Sequence, residues 1–270
     1  MTTAFALSVS ELTGVPLERL ERLAGGDLSE VLLLRRPDGR LSVAKGGASV
    51  ATEAAMLRAL GAAGVQAPMV EAEHANVLIL EHVANDAVFS SRAWTSIGAA
   101  VRLLHDRQGE HYGWPVDYRL ATVELDNRPA TDWPSFWGAQ RISSVATVLD
   151  RPWRERVERV AVRLPELVPR APAPALLHGD LWTGNILVNE GELAALIDPA
   201  CYFGHSEVDL AMLTLFGSPP AAFLDAYGPL ESGWEERRIV YQLFPALVHL
   251  RLFGASYAAM VDRLLISLGA

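Results

Sequence analysis

The stretch His178-Gly179-Asp180-Leu181-Trp182-Thr183-Gly184-Asn185 decides the fold. It follows a proline-rich connector at residues 165–174 and precedes a predicted strand at residues 186–188, so its polar side chains fall in a loop. A further acid, Asp198, ends the next predicted strand, at residues 194–197. The spacing His-x-Asp-Leu-x-x-x-Asn, followed by a later Asp, matches the catalytic loop and metal-binding acid of the protein-kinase-like fold.

Three oxygen-bearing side chains of this region match the needs of phosphoryl transfer. Asp180 is predicted to orient an attacking hydroxyl and to accept its proton. Asn185 and Asp198 are predicted to hold the Mg²⁺ ion that neutralises the phosphates. The structural alternative is that Asp180 and Asn185 only stabilise turns, because a motif match alone is weak support.

A second pair of charges is predicted in the first part of the chain. In the strand at residues 41–45, alternation places Lys45 on the same face as two apolar residues, where an unpaired charge is costly. In the following helix, Glu53 shares the apolar face by its 3–4–7 spacing to residues 56, 57 and 60. The two charges are therefore predicted to pair, as in the lysine–glutamate contact that positions ATP phosphates in kinases. The alternative is that Lys45 reaches water and Glu53 lies at a frayed helix start.

Two further segments are predicted to contact ATP. Gly25, Gly26 and Ser29 belong to a glycine turn whose backbone N–H groups could approach phosphates. The strand at residues 77–80 runs into Glu81, His82 and Val83, where a kinase-like hinge offers backbone groups to adenine. The chain has no G-x-x-x-x-G-K-[ST] motif, which excludes a Walker-type nucleotide site.

The periodicity predicts an α+β, two-lobed protein-kinase-like fold. A small N-terminal antiparallel-sheet lobe is expected over residues 1–83, and a larger, mainly helical lobe over residues 84–270. In the first lobe we predict a helix at 10–23, a hairpin around 36–39, a helix at 49–60 and strands at 69–72 and 77–80. In the second we predict helices at 91–105, 133–149 and 153–164, and a helical region over 207–268.

Composition narrows the class of partner and compartment. The net charge of -9 argues against a nucleic-acid partner, because phosphate contacts need a basic surface. The single cysteine, Cys201, allows no intramolecular disulfide and suits a reducing compartment. We find no signal segment and no run of eighteen uninterrupted apolar residues, so the expectation is a cytoplasmic protein without a membrane span. Oligomeric state is not constrained.

The motifs together resemble one family. The loop at 178–185 resembles the H-G-D-L-W-x-G-N signature of the fructosamine-3-kinase and ketosamine-3-kinase family. The segment 197–207 is similar to its D-P-A-x-x-x-G-H-x-E stretch, and 132–136 to its D-W-x-x-F stretch. The resemblance implies transfer of the ATP γ-phosphate to the 3-hydroxyl of a ketoamine, with Mg²⁺, in a deglycation-type repair.

The resemblance also implies roles for individual residues. Asp180 becomes the base, Asn185 and Asp198 the magnesium ligands, and Lys45, anchored by Glu53, the phosphate contact. Trp182 and His205 become substrate-side residues, with loop packing and a buried histidine as their respective alternatives. Outside these roles, Glu207 and Asp209 are expected to brace the catalytic loop, and Cys201 to be an unreactive loop or core residue. The segment 123–127 matches the family only loosely.

Two rival functions stay open. One is another small-molecule kinase of the same fold, of the aminoglycoside, choline or homoserine type, which Trp182 and the G-H-S-E segment disfavour. The other is a nucleotide-binding pseudokinase, a class that usually lacks one of the base or metal residues present here.

Overall fold

The chain begins with a helix that ends earlier than its sequence suggested. The computed structural model describes residues 3–23 and 30–270. Helix α1 spans Ala4–Thr13, and Thr3 caps it by accepting a hydrogen bond from the N–H of Ala6. Gly14 ends it in the left-handed region, at φ 69°, and donates its N–H to the carbonyl of Ser10. The predicted helix at 10–23 is therefore wrong, because Gly14 stops the helix there.

A five-stranded antiparallel sheet forms the small lobe. Its strands are paired in the order β1-β2-β3-β5-β4. Their bounds are β1 Leu20–Arg22, β2 Val31–Arg35, β3 Leu41–Gly46, β4 Val70–His74 and β5 Val77–Glu81. Helix α2, Val50–Ala62, packs on β4 and β5. The predicted hairpin, helix and two last strands of this lobe are confirmed within two residues at each end.

Helices are the main regular structure of the remaining chain. They are α3 Ser91–His105, α4 Trp133–Trp137, α5 Ser144–Ala146, α6 Arg151–Leu167, α7 Glu207–Leu213, α8 Ala221–Tyr227, α9 Trp234–Phe253 and α10 Ala258–Ser267. Helix α3 has the predicted bounds, because its apolar positions repeat at helical spacing. The continuous helix predicted over 133–149 is interrupted by a π-helical turn, Gly138–Ser143. The two-lobed α+β fold is confirmed, and the boundary between residues 83 and 84 stays a prediction.

Short strands position the loops of the large lobe. Three antiparallel pairs join β6 Tyr118–Leu120 to β7 Val123–Leu125, β8 Ala175–Leu177 to β11 Tyr202–Gly204, and β9 Ile186–Asn189 to β10 Glu192–Leu196. Only the last pair was predicted, because a three-residue strand is too short to show alternation. The β8–β11 pair brings the 178–185 loop beside the segment that follows Asp198.

A fully buried arginine fixes the base of the β6–β7 hairpin. Arg141, in the π-helical turn, donates to the carbonyl of Asp126 and to Oδ1 of Asn127, both at 2.7 Å. Its guanidinium lies 4.2 Å from the ring centroid of Tyr202, so an aromatic face offsets part of the cost of burying the charge. The hairpin is thereby attached to the core of the large lobe.

Helix α9 carries the most apolar long segment. The run Trp234–Ser267 is long and apolar enough to cross a membrane by length and composition alone. In the fold this run is α9, a 3-10 turn and α10, and α9 packs against α7 and α10 with residues 240–248 buried. The core that α9 builds explains the apolar residues at 240–248.

Two helical glycines allow a test of the packing of α3 on α8. A Cβ at Gly98 would lie 2.4 Å from the carbonyl oxygen of Phe223, whereas a Cβ at Gly61 of α2 would meet nothing within 4 Å. We expect Gly98→Ala to destabilise the protein by about 1–3 kcal/mol, since backbone has to shift. We expect Gly61→Ala to be neutral or to stabilise by up to about 1 kcal/mol. Thermal or denaturant unfolding measures both, and an unchanged Gly98→Ala variant would contradict the close contact.

Candidate active site

The catalytic loop is shaped by one glycine. Gly179 adopts φ 82°, and a Cβ there would lie 2.0 Å from the carbonyl oxygen of Ala200. A side chain at this position would therefore be excluded both by the backbone conformation and by the neighbouring loop. Asp180, which follows the turn at Gly179, lines a cavity.

A buried carboxylate holds this loop in place. Asp209, at the start of α7, accepts the N–H groups of His178 at 2.7 Å and Gly179 at 2.9 Å. The ring of His105 contacts the same carboxylate at 3.1 Å. Asp209 braces the loop, as expected. The same expectation for Glu207 is wrong, because Glu207 is engaged by the guanidinium of Arg237 at 2.5 and 2.7 Å.

His178 connects the loop to the segment that carries Asp198. Its Nε2 lies 3.0 Å from the carbonyl oxygen of Ile197, and that nitrogen must donate because a carbonyl only accepts. Its Nδ1 then accepts the N–H of Asp180, at 3.3 Å. Burial lowers the pKa of this histidine, so the neutral ring that makes both contacts is favoured.

Asp180 and Asn185 are in direct contact. The amide Nδ2 of Asn185 donates to the backbone carbonyl of Asp180 at 2.8 Å and to its Oδ2 at 3.0 Å. Both amide protons are then used, and Oδ1 of Asn185 is left as an acceptor. The contact fixes the Asp180 carboxylate relative to an oxygen that could bind a metal ion.

Lys45 joins the sheet to the catalytic region. Its Nζ lies 2.7 Å from Oε1 of Glu53 and 2.7 Å from Oδ1 of Asp198. Burial alone would lower the pKa of Lys45, but the charges and hydrogen bonds of Asp198 and Glu53 outweigh burial and raise it. The predicted Lys45–Glu53 contact is present, and the same ammonium also reaches the large lobe.

One cavity collects the predicted side chains. It has a volume of about 240 Å³ and is lined by Lys45, Glu53, Asp180, Asn185 and Asp198, together with Trp182. The indole of Trp182 lies directly over Gly184, where a Cβ would be 2.3 Å from the ring. The loop sequence Trp-Thr-Gly thus lets the indole fold back and remain at the cavity wall.

The donor set fits a hard divalent cation. Oδ1 of Asn185 has no hydrogen-bond partner among the described residues, and the side chain of Asp198 is 48% exposed, with Oδ1 bound to Lys45. Amide and carboxylate oxygens on one cavity wall are the ligands that Mg²⁺ prefers. Asp198 adopts φ 55°, a conformation uncommon for a residue with a side chain.

The carboxyl of Asp180 has a raised pKa. Burial raises it to about 7, assisted by the charges of Asp198 and Asp209, while the hydrogen bond from Asn185 and the charge of Lys45 oppose the shift. A base with a pKa near neutrality is well matched to accepting a hydroxyl proton at physiological pH. Its environment thus agrees with the role predicted for it.

Other predicted residues lie elsewhere. His205 is buried, 2% exposed, outside the lining of this cavity, and its Nδ1 contacts the hydroxyl of Tyr241 at 2.8 Å. Burial lowers its pKa to about 3. The structure therefore does not bring His205 to the substrate side, and the buried-histidine alternative describes it. Cys201 is buried and burial raises its thiol pKa well above the ordinary value, so it is the unreactive core residue that was expected.

The two segments predicted for ATP are only partly placed. Gly25, Gly26 and Ser29 lie outside the described residues. Strand β5 ends at Glu81, whose N–H donates to the carbonyl of Met69. His82 and Val83 follow it, and their backbone groups have no backbone hydrogen bond to residues 3–23 or 30–270. They could bind adenine, although they are outside the lining of the 240 Å³ cavity.

Several residues of this lining are not among those predicted from the sequence. Tyr118, on β6, and His249, on α9, both face the cavity. Burial and the charge of Glu53 raise the pKa of Tyr118, so its hydroxyl stays protonated. Residues 118–121 line this cavity, and residues 124–126 of the loosely matching segment border an adjoining hollow of about 860 Å³, which shares Ser49, Tyr118 and Arg119 with the cavity. Nothing local distinguished Tyr118, because its three-residue strand carried no pattern.

The site geometry agrees with comparisons to known proteins. A family model described as fructosamine kinase matches residues 1–268. The chain belongs to the fructosamine kinase family. A protein named "Probable ketoamine kinase" from Enterococcus faecium is 37% identical over 179 residues, which are 63% of this chain and 65% of that protein. One of the same name from Thermus thermophilus is 30% identical over 248 residues, covering 89% and 90% of the two chains.

Solved structures support the same fold. The crystal structure of a candidate fructosamine-3-kinase from Thermobifida fusca has a TM-score of 0.87, 30% identity and 98% coverage of both chains. At 15% identity and a TM-score of 0.64, the gentamicin complex of APH(2")-IIa shares the fold alone. For the first curated relatives, the matched segments cover 65%, 61% and 65% of those proteins, slightly less than two thirds of their length.

The raised pKa of Asp180 predicts that this carboxyl makes the folded protein less stable as pH rises. A carboxyl whose pKa is raised on folding favours the folded state at low pH, and that contribution is lost as pH rises from about 4 towards about 7. We therefore expect the stability of Asp180→Asn relative to the wild type to be higher at pH 8 than at pH 5, by roughly 1 kcal/mol or more. Thermal melting at both pH values measures this difference. Asp225→Asn, at an exposed position on α8, controls for the loss of one charge, and an equal difference at the two pH values would contradict the raised pKa.

Proposed function

We propose that this protein transfers the γ-phosphate of ATP to a sugar hydroxyl, the 3-hydroxyl, of fructosamine or ketosamine adducts. The observation that carries the proposal is the convergence of Asp180, Asn185 and Asp198 with the Lys45–Glu53 pair in one cavity. Phosphoryl transfer depends mainly on positioning and charge stabilisation, and this set supplies both. The reaction is a deglycation-type repair, since phosphorylation would destabilise the sugar–amine bond.

Asp180 acts as the base in this proposal. The acceptor hydroxyl gives its proton to the Asp180 carboxylate while its oxygen bonds to the γ-phosphorus. The bond from that phosphorus to the β–γ bridging oxygen breaks, and ADP leaves. The contact from Asn185 and the braced loop keep the carboxylate in position, so little reorganisation is needed.

Cation contacts neutralise the phosphates. Asn185 and Asp198 would hold Mg²⁺, which supplies charge neutralisation when bound. Lys45 contributes an ammonium whose geometry is set by Glu53. His82 and Val83, next to Glu81, would offer backbone groups to adenine, and Gly25, Gly26 and Ser29 would cover the phosphates. Trp182 would face the acceptor, because it lines the same cavity.

The acceptor is a small-molecule ketoamine or glycated amine. The relatives named ketoamine kinases support this class of acceptor. The net charge of -9 argues against nucleic acid as partner. We propose the cytoplasm as compartment, because the one cysteine needs no oxidising environment and ATP is plentiful there.

A phosphorylation assay tests the proposal. Wild-type protein is incubated with ATP, Mg²⁺ and synthetic ketoamines derived from fructose, ribulose and psicose, and the product is identified by mass spectrometry. We expect a monophosphate on at least one ketoamine, and Asp180→Ala should lower turnover by about 10²–10⁴-fold with ATP binding retained.

Aminoglycosides, choline and homoserine serve as competing acceptors in the same assay. If one of these compounds is phosphorylated and none of the ketoamines is, the proposal is wrong and the protein is the rival small-molecule kinase. Nucleotide binding without turnover on any acceptor would favour the pseudokinase. Near wild-type turnover by Asp180→Ala would show that another group is the base.

Lys45 provides a second test because one ammonium contacts two carboxylates. A planar guanidinium spreads its donors over a fork and cannot reproduce two 2.7 Å contacts from one nitrogen. We expect Lys45→Arg to lower kcat/KM for ATP by about 10²-fold, close to the effect of Lys45→Met. The reverse exchange at an exposed ion pair, Arg58→Lys, should leave kcat/KM unchanged. Full activity of Lys45→Arg would argue against a specific role for the ammonium.

A further inference from the structure

A cluster of aromatic rings lies where α9 meets the catalytic loop. The ring of Phe216 is 6.0 Å from that of Trp182 and 5.0 Å from that of His249. His249 is in turn 5.5 Å from Phe253 and 4.9 Å from Tyr257. Five rings from three separate parts of the chain thus form one surface, with His249 at its centre.

This aromatic surface is open at the cavity. Trp182, Phe216 and Phe253 are 38%, 43% and 42% exposed, although large apolar side chains are usually buried. Trp182, His249 and Phe253 line the cavity that contains Asp180. Exposed apolar surface beside convergent polar groups is typical of a ligand site. A ligand bound on the acceptor side of this cavity would therefore cover these rings.

His249 presents a hydrogen-bond acceptor within the cluster. Its Nδ1 lies 2.8 Å from the carbonyl oxygen of Pro245, so Nδ1 carries the proton and donates. Burial lowers the pKa of His249, although the Pro245 contact opposes the shift, and the neutral ring is favoured. The Nε2 lone pair has no hydrogen-bond partner among residues 3–23 and 30–270. A ligand that donates a proton to Nε2 would complete its hydrogen bonding.

The charges of the cavity favour a cationic donor. Glu53, Asp180 and Asp198 are its acidic lining residues, and Lys45 and Arg119 are the described cations of that lining. Both cations already pair, Lys45 with two carboxylates and Arg119 with Glu124. Aromatic faces also attract cations. A protonated amine with an apolar substituent matches this wall, whereas a carboxylate next to the amine would find no unpaired cation in the described lining.

We propose that His249 is a specificity-determining residue, whose Nε2 accepts a hydrogen bond from the protonated amine nitrogen of the ketoamine. The substituent on that nitrogen packs against Trp182, Phe216 and Phe253. This inference rests on the proposed function and names the acceptor class: ketoamines whose amine carries an apolar or aromatic group without an adjacent carboxylate.

Three synthetic acceptors separate the contribution of the hydrogen bond from that of apolar packing. One is the N-benzyl ketoamine of fructose, the second replaces benzyl by carboxymethyl, and the third is the 1-O-benzyl ether, which has no amine proton. We expect the wild type to favour N-benzyl over N-carboxymethyl by about tenfold or more in kcat/KM, since a hydrogen bond to a charged group and apolar packing each contribute on this scale.

Variants of His249 isolate the hydrogen bond. His249→Phe keeps an aromatic ring and loses the lone pair, so KM for N-benzyl should rise about tenfold, with KM for ATP and the kinetics of the O-benzyl ether unchanged. His249→Gln restores an acceptor and should recover most of the affinity. Phe253→Leu should reduce the preference for N-benzyl over N-carboxymethyl. His74→Phe, at an exposed position on β4, controls for a histidine-to-phenylalanine substitution outside the cavity.

The outcomes separate the inference from the function on which it rests. Equal losses on the N- and O-benzyl compounds, or none on either, would overturn the assigned hydrogen bond while ketoamine kinase activity stands. A wild type that prefers N-carboxymethyl would overturn the acceptor class. A wild type that phosphorylates none of the three compounds but accepts an aminoglycoside would remove both. If melting shows that His249→Phe does not fold, His249→Leu also lacks the lone pair, and its N- to O-benzyl ratio has the same meaning.

Discussion

One ammonium between two carboxylates is the contact on which the site depends. Lys45 on β3 is held at 2.7 Å from both Glu53 on α2 and Asp198 in the large lobe. The group is buried, and a lone charge there would be strongly disfavoured. Nζ of Lys45 therefore constrains three features at once: the position of α2 on the sheet, the conformation after β10 and the distance across the cleft. Removing Lys45 would leave the buried carboxylate of Glu53 without its counter-charge.

A second buried network gives the catalytic loop its rigidity. The carboxylate of Asp209 is completely buried. It accepts hydrogen bonds from two N–H groups of the loop and contacts the ring of His105. His178 continues the network to the carbonyl before Asp198. Asp180 and Asp198, the proposed base and metal ligand, thus share a common support, although their positions are eighteen residues apart in the chain. A satisfied polar network of this kind fixes orientation more strongly than apolar packing would, because each partner has one productive geometry.

The site could be predicted from the sequence where local pattern and spacing carry the information. Strand alternation and helical spacing were sufficient to pair Lys45 with Glu53, and loop spacing identified Asp180, Asn185 and Asp198. Long-range packing decided the rest. His205 shares its motif with residues near the site, but its contact with Tyr241 on α9 is formed only in the folded lobe. His249 stood in an apolar helix without a neighbouring motif, and its role depends on rings brought from Trp182 and Phe216.

The fold was predictable to the same degree and for the same reason. Helix α3 and the β2–β3 hairpin have strong periodic or turn signals, and both were found where expected. Helix α1 was misplaced because apolar residues beyond Gly14 continued a helical spacing that the left-handed glycine interrupts. The hairpin of β6 and β7 is fixed by a buried arginine from a different element. Its strands are too short to have a pattern of their own.

The choice of cation at position 45 supports the central contact independently. Lys45 is the one lysine of the 270 residues, and every other basic side chain apart from histidine is an arginine. At exposed ion pairs such as Arg58–Glu73, the two cations are nearly interchangeable, and this chain uses arginine. Position 45 is different, because a compact ammonium can bring one nitrogen against two acids in a confined space, while a guanidinium requires room for its plane. The chain therefore keeps lysine at the one place where a point charge between two carboxylates cannot be replaced by a fork of donors.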